Sequence, residues 1–364
     1  MDTELLKLRE RVLVARSQRT PLQLHGGRTK EFYGESISGE PLDVSGYRGI
    51  IDYEPSELVI TARCGTPLSE IESTLAASGQ FLGFEPPRPG GDPTLGGDPT
   101  LGGNPTLGGV IAAGLSGPRR MQAGAARDFV LGAHLMTADG EVLRFGGQVM
   151  KNVAGFDVAR LLCGSMGIFG IITELSIKVL PQPRAEETMR LEMPAGVAVE
   201  TFNRWGGQPL PISAAAWHEG AAWVRLSGAE SAVQAAQAIV GGDRVFPALA
   251  RKWWEAVRHY AHPVFSGETV WRVSVPSTAA PLQLPGEPLI DWGGALRWYA
   301  GDMSDFDVRG LALAAGGTAL RWHGAGPESR FHPLPRALLE IHRRLKHSFD
   351  PEGIFNPGRL VAGL

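Results

Sequence analysis

One hexapeptide occurs three times without interruption: GGDPTL at residues 90–95, GGDPTL at 96–101 and GGNPTL at 102–107. The third copy runs straight into Gly108-Gly109-Val110-Ile111-Ala112-Ala113-Gly114-Leu115-Ser116-Gly117. Such a stretch has too little side-chain bulk to pack a core by itself. It can instead bring backbone N–H groups onto an anion, because glycine has no Cβ and adopts positive φ without steric cost. The chain has 48 glycines, clustered between residues 83 and 170 with apolar residues interleaved. That pattern points to tight turns and close backbone approach, not to collagen or disorder. The repeat thus marks a cofactor loop with a duplication beside it.

At 364 residues the chain is too long for one ordinary core, and two domains are expected. Hydrophobic residues at 43% and charged residues at 20% fit a globular protein. A net charge of −3 gives no electrostatic case for a nucleic-acid partner. With two cysteines, Cys64 and Cys163, a disulfide framework is not expected, and a reducing, cytoplasmic setting is. Residues 1–19 are charged throughout and lack the apolar centre of a signal peptide. No run of 18 apolar residues occurs, so membrane contact is expected to be peripheral at most, at the inner face.

Residues 1–17 read as an amphipathic helix and 22–24 as a short strand. Residues 49–64 read as two strands joined at Glu54-Pro55-Ser56-Glu57. A helix follows, with Thr66 as N-cap, Pro67 at the first position, Leu68, Ile71 and Leu75 on one face, and Gly79 as its stop. Strands are expected at 129–137 and 141–145 around Asp139-Gly140, a short helix at 158–163 and a long β-branched strand at 168–180. Pro181-Gln182-Pro183 then marks a domain boundary. Beyond it, strands near 190–193, 212–217, 222–226, 270–275, 295–299 and 318–322 alternate with helices at 197–205, 230–240 and 308–315. That is an α+β pattern, an antiparallel sheet with helices on one face. A basic helix over 336–349 leads into the tail.

Three glycine segments stand out. His25-Gly26-Gly27-Arg28-Thr29 ends a strand and offers consecutive N–H donors, or is only a turn. Residues 108–117 form the second. The third, Gly164-Ser165-Met166-Gly167-Ile168-Phe169-Gly170-Ile171-Ile172-Thr173-Glu174, is either a loop with a buried strand or a backbone edge against a flat ring. None is a Rossmann fingerprint or a Walker loop, so a nucleotide requires another scaffold.

In this order the segments resemble the FAD-linked oxidases of the vanillyl-alcohol-oxidase type, which carry a PCMH-type FAD-binding domain. Within that family the chain is most similar to the FAD-binding subunits of bacterial glycolate oxidases. The matching text is Glu85-Pro86-Pro87, residues 106–120, Arg127-Asp128-Phe129-Val130-Leu131-Gly132, residues 149–157, Ile171-Ile172-Thr173-Glu174, and residues 349–359. It covers almost the whole chain. The resemblance implies an α+β fold in which two α+β subdomains hold FAD and a smaller α+β cap domain follows. The expected units are 1–183, 184–330 and a tail, 331–364, returning to the FAD domain.

It also implies site residues. His25, Gly26, Gly27, Arg28 and Thr29, with Leu107, Gly108 and Gly109, would hold the diphosphate through backbone N–H groups. Ala113, Gly114, Ser116 and Gly117 would line the flavin, and Gly170, Ile171 and Ile172 would meet a ring. Pro86, Ser165, Gly167 and Asn356 complete the expected cofactor set, and Arg359 returns with the tail. The third hexapeptide copy is assigned to the cofactor because it leads into Val110-Ile111-Ala112-Ala113-Gly114, with the first copy as the alternative register. The first two copies, residues 90–101, read as spacer, and twelve extra loop residues add on the order of 1 kcal/mol or less in closure entropy. Covalent flavin attachment is not expected.

The nine histidines are scattered, and His259-x-x-His262 lacks a third ligand, so no metal site is expected. Arg272 or Arg297 is a candidate to clamp a substrate carboxylate. His323 is a candidate base for the hydroxyl proton. Core packing is the alternative for all three. The implied activity is oxidation of glycolate, or D-lactate, to the 2-oxo acid. Electrons would leave through a companion FAD-linked oxidase subunit and a separate iron–sulfur subunit. The alternatives are a stand-alone FAD-dependent hydroxy-acid or alcohol dehydrogenase and a non-catalytic scaffold subunit.

Overall fold

The computed structural model describes residues 2–89, 104–147, 156–326 and 328–364. The first two hexapeptides, the opening of the third and the motif at 149–155 lie outside the described residues.

The N-terminal half is built on a five-stranded antiparallel sheet. Its strand order is Ile50–Glu54, Val59–Arg63, Ile171–Lys178, Val130–Met136, Val142–Gly146. The central strand, Ile171–Lys178, is almost wholly buried, as its β-branched run requires. Helix Leu68–Ala77 places Leu68, Ile71 and Leu75 on one face, and all three are fully buried against this sheet. Thr66 does not cap that helix, because its hydroxyl accepts from the Gly49 N–H at 2.8 Å. Helix Leu107–Ala113 lies where a glycine loop was expected. Its Thr106 is the N-cap, and Leu107, Val110 and Ile111 bury into the same core. Tertiary packing here outweighs the roughly 1 kcal/mol that each helical glycine costs. Beside the sheet, Leu22–His25 pairs in parallel with Glu40–Asp43.

The second half carries an eight-stranded antiparallel sheet. Its order is Asp243–Arg244, Ala185–Glu192, Ala221–Gly228, Ile212–His218, Leu289–Asp291, Leu296–Ala300, Val270–Ser274, Thr318–His323. Counted in chain order, the first four strands lie 4-1-3-2 and the last four 2-3-1-4. The sheet is therefore one four-stranded unit met edge to edge by a second of mirrored order. Helices Ala195–Gly206 and Glu230–Val240 cover the first unit, and Asp305–Ala314 covers the second.

Strand alternation sorts the other face. On Val270–Ser274, Trp271 and Val273 pack under helix Asp305–Ala314, and Arg272 falls on the opposite side. Trp298 is the direct partner of Arg272 across the ladder, and with Trp322 and Leu289 it packs against Tyr33, Ala113, Leu115 and Met166 of the first half. Helix Pro247–Arg258, which sequence reading did not assign, buries Ala250, Trp254 and Val257. Among the described residues, no helix is long and apolar enough to cross a membrane.

Candidate functional site

A cavity of about 380 Å³ opens where the first strand ends. That size falls in the range of small-molecule and cofactor sites. Strand Leu22–His25 delivers the loop 26–31 to its rim, and residues of helix Leu107–Ala113 and the Met166–Gly167 turn line it too. The loop packs very closely on the third hexapeptide. A Cβ on Gly26 would meet Thr106 Oγ1 at 2.3 Å, and one on Gly27 would meet the Asn104 carbonyl oxygen at 1.9 Å. Only glycine fits there. Among the described residues, the N–H groups of Gly26, Gly27, Arg28, Thr29 and Lys30 find no partner. Five successive donors without a partner among the described residues, at the rim of a cavity, can hold an anion. His25, buried at the loop's base, faces Glu31 Oε1 at 2.9 Å.

Of the residues expected at the cofactor, the cavity gathers His25, Gly26, Gly27, Arg28, Thr29, Gly108, Gly109, Ala113, Gly167, Gly170, Ile171, Ile172 and Asn356. It does not gather Pro86, Leu107, Gly114, Ser116, Gly117 or Ser165. The reasons are local. Leu107 is buried and its N–H donates to the Thr66 carbonyl at 2.9 Å. The Gly108 N–H is likewise taken, by the Cys64 carbonyl at 2.8 Å, and Gly109 caps back to Thr106 Oγ1 at 3.4 Å. Leu107 and Gly108 are therefore not free donors as expected, and Gly108 and Gly109 instead present a side-chain-free surface. Gly114 ends the helix in the left-handed region, against Gly164. The Ser116 hydroxyl accepts from Ala126 N–H, and Ser165 from Gly167 N–H. The Pro86 carbonyl accepts from Arg258 at 3.1 Å.

Sequence reading missed Lys30, Glu31, Cys64 and Met166 on the cavity wall, where Thr106, the start of the segment assigned to the cofactor, also lies. Burial pushes the Cys64 thiol well up, so it is un-ionised. The tail closes the site from behind. Asn356 Oδ1 accepts from Leu24 N–H at 2.8 Å, and its Nδ2 donates to the Met166 carbonyl at 2.7 Å. One side chain thus ties the strand to the turn. Arg359 donates to the carbonyls of Glu31, Tyr33 and Glu35 at 2.6–2.8 Å and fixes the loop after the glycines.

A second group of residues lies where the two halves meet. Arg272 sits 5.2 Å from the Trp292 ring centroid, and Arg120 sits 4.1 Å from the same ring. The buried Arg272 Nε has no hydrogen-bond partner, and among the described residues neither guanidinium has a carboxylate within 4.0 Å. Burial first, then repulsion from Arg272, lowers the Arg120 value. The Trp292 indole N–H donates to the Gly117 carbonyl at 3.0 Å, which ties this group to the first half. Asp291, also buried, accepts from Trp292 N–H at 2.7 Å. Tyr33, Tyr260, Trp298 and Trp322 pack on one another beside this group, with ring centroids 4.5–5.5 Å apart.

Arg297 and His323 do not join this group. Arg297 is one residue out of phase with Trp298, so it points to the far side of the sheet. There it is fully buried and donates to the carbonyls of Gly294, Ala279 and Ala280. A guanidinium so occupied cannot clamp a substrate. His323 is exposed beside the Gly267 and Glu268 carbonyls, and it is out of phase with Trp322 in the same way. His259 accepts from Arg88 N–H and His262 from Val264 N–H.

The donor loop suits a diphosphate, and the glycine and alanine wall suits a flat ring, so the residues fit FAD. Comparison with known proteins agrees. Residues 4–146 match the FAD binding domain model and 300–360 match the C-terminal domain of FAD linked oxidases. The glycolate oxidase subunit GlcE of Escherichia coli is 46% identical over 98% of this chain and 97% of its own length. A D-lactate dehydrogenase of Archaeoglobus fulgidus is 24% identical over 96% of this chain and 88% of its own length. Among solved structures, alkyldihydroxyacetonephosphate synthase superposes with a TM-score of 0.65 at 16% identity, covering 98% of this chain and 76% of that one. The chain belongs to the FAD-linked oxidases, as an FAD-binding relative of the glycolate oxidase subunit GlcE.

Proposed function

We propose that the chain is the FAD-binding subunit of a complex that oxidises glycolate, or a similar small 2-hydroxy acid such as D-lactate, to the 2-oxo acid. The near-full-length identity to GlcE carries this reading. A segment 41% identical over 73 residues to the Bacillus subtilis glycolate oxidase subunit GlcD supports a companion subunit of the same family. Two cysteines cannot supply the four thiolates of an iron–sulfur cluster, so the onward electron carrier belongs to another chain.

FAD bound in the cavity supplies the two-electron acceptor for the hydroxyl-bearing carbon. The chain's own residues bind and orient. Loop 26–30 seats the diphosphate by N–H donation. Arg272, with Arg120 beside the same Trp292 ring, takes the substrate carboxylate. The aromatic cluster of Tyr33, Tyr260, Trp298 and Trp322 excludes water and strengthens that charge pairing.

In the assembled complex, Arg272→Leu should raise KM for glycolate roughly 30- to 100-fold, the worth of one or two hydrogen bonds to a charged group, with bound flavin unchanged. Steady-state kinetics with the flavin content measured alongside check this. An unchanged KM would remove Arg272 from substrate binding.

A further inference from the structure

Lys30 supplies the last N–H of the five-donor loop, and its side chain lines the same cavity. Its neighbours are cationic. Arg28 precedes it in the loop, Arg88 stands close enough to repel it, and Arg359 arrives from the tail to hold the Lys30 carbonyl at 3.4 Å. The nearest carboxylate in sequence, Glu31, is engaged elsewhere, with His25 at 2.9 Å and Arg28 at 3.7 Å. Among the described residues, the Lys30 ammonium has one polar side-chain partner, Thr29 Oγ1 at 3.4 Å. A partly buried ammonium among guanidiniums, without a counter-ion, is costly in an empty cavity. It becomes favourable once an anion lies beside it.

We propose that Lys30 is the titrating partner of the FAD diphosphate: the cofactor binds its charged form, so that in alkaline solution Lys30 takes a proton from solvent as the cofactor enters and holds it while the cofactor stays. The inference rests on reading loop 26–30 as the diphosphate seat. Burial first, and Arg88 second, hold the Lys30 value down to about 8 without the cofactor. A dianionic diphosphate opposes both effects and raises it. Affinity for FAD therefore falls as pH climbs through the cofactor-free value, because the proton must then be drawn from a scarcer supply. Arg28, Arg88 and Arg359 stay charged across this range. The buried phenols of Tyr33 and Tyr260 and the Cys64 thiol are all pushed upward, away from it.

The experiment is calorimetric titration of FAD into the flavin-free full-length chain, from pH 6.5 to 9.5, in buffers of differing ionisation enthalpy. For the unaltered chain, Kd should rise about tenfold from pH 7 to pH 9, with uptake of about half a proton per FAD at pH 8. Lys30→Met should bind about a hundredfold more weakly at pH 7, with no proton uptake at pH 8. Lys30→Arg should restore tight binding and abolish the pH dependence, which a merely structural role would not do. Circular dichroism confirms that each variant is folded. A Kd that stays flat with pH in the unaltered chain, or a Lys30→Met variant that keeps the same pH dependence, would overturn the proposal and leave the diphosphate seat standing. A folded chain that binds no FAD at all would overturn the seat and this inference together.

Discussion

Asp291 caps the turn at Trp292 from a position 3% exposed, and burial pushes its carboxyl up to about 7. Its unfolded value is close to 4. Between those values the folded chain holds more protons than the unfolded one, so stability falls as pH rises from about 4 to 7 and stays lowered above. Asp291→Asn keeps the oxygen that accepts from Trp292 but carries no charge. Its stability relative to the unaltered chain should therefore improve by roughly 1–3 kcal/mol between pH 5 and pH 8. Denaturant unfolding at the two pH values checks this, and an equal difference at both would show that Asp291 is ionised throughout. Arg297 shows how far residue roles are legible in the sequence. Arg272 and Arg297 look alike as text, each beside a tryptophan. Strand phase separates them, and phase is fixed only once both sheet faces are known.

At the scale of elements, one buried carboxylate joins the halves. Glu85 accepts from the Arg119 main chain and side chain and from Arg225 of strand Ala221–Gly228, at 2.8–3.3 Å. Burial alone would raise its carboxyl, but the guanidiniums of Arg225, Arg119 and Arg258 outweigh burial and hold it down to about 2. Glu85→Gln should cost roughly 3–5 kcal/mol at neutral pH, because two buried guanidiniums lose their shared partner. Since the folded value lies below the unfolded one, this loss should shrink as pH falls from about 5 toward 2. Chemical unfolding across that range measures it, and a loss that did not depend on pH would contradict the assignment. Elements with a clean apolar period, such as Leu68–Ala77, were legible in the sequence. Leu107–Ala113 was not, because its glycines and alanines read as loop and only the core around it makes it helical. Helix Pro247–Arg258 was hidden because the exposed Phe246 and Leu249 blur the Ala250, Trp254, Val257 face.

Over the whole molecule, the fold class followed from ordered motifs spread along the chain, while the doubled 4-1-3-2 sheet depends on long-range pairing that no local pattern carries. Much of the cavity wall was legible for a related reason. Glycines where backbone approaches backbone leave a mark in sequence, whereas Lys30, Glu31 and Arg120 are ordinary surface residues until the fold surrounds them. The account as a whole depends on FAD sitting against loop 26–30. The direct measurement is bound flavin per chain after reconstitution with FAD, for the unaltered chain and for Gly27→Ala, with circular dichroism showing both folded. The added methyl would collide with the Asn104 carbonyl and push the donor loop out of place. The account predicts about one FAD per unaltered chain and less than about a tenth of that in the variant, a loss of the order expected when several charge-assisted hydrogen bonds go at once. Equal flavin content in the two chains, or none in the unaltered one, would contradict it.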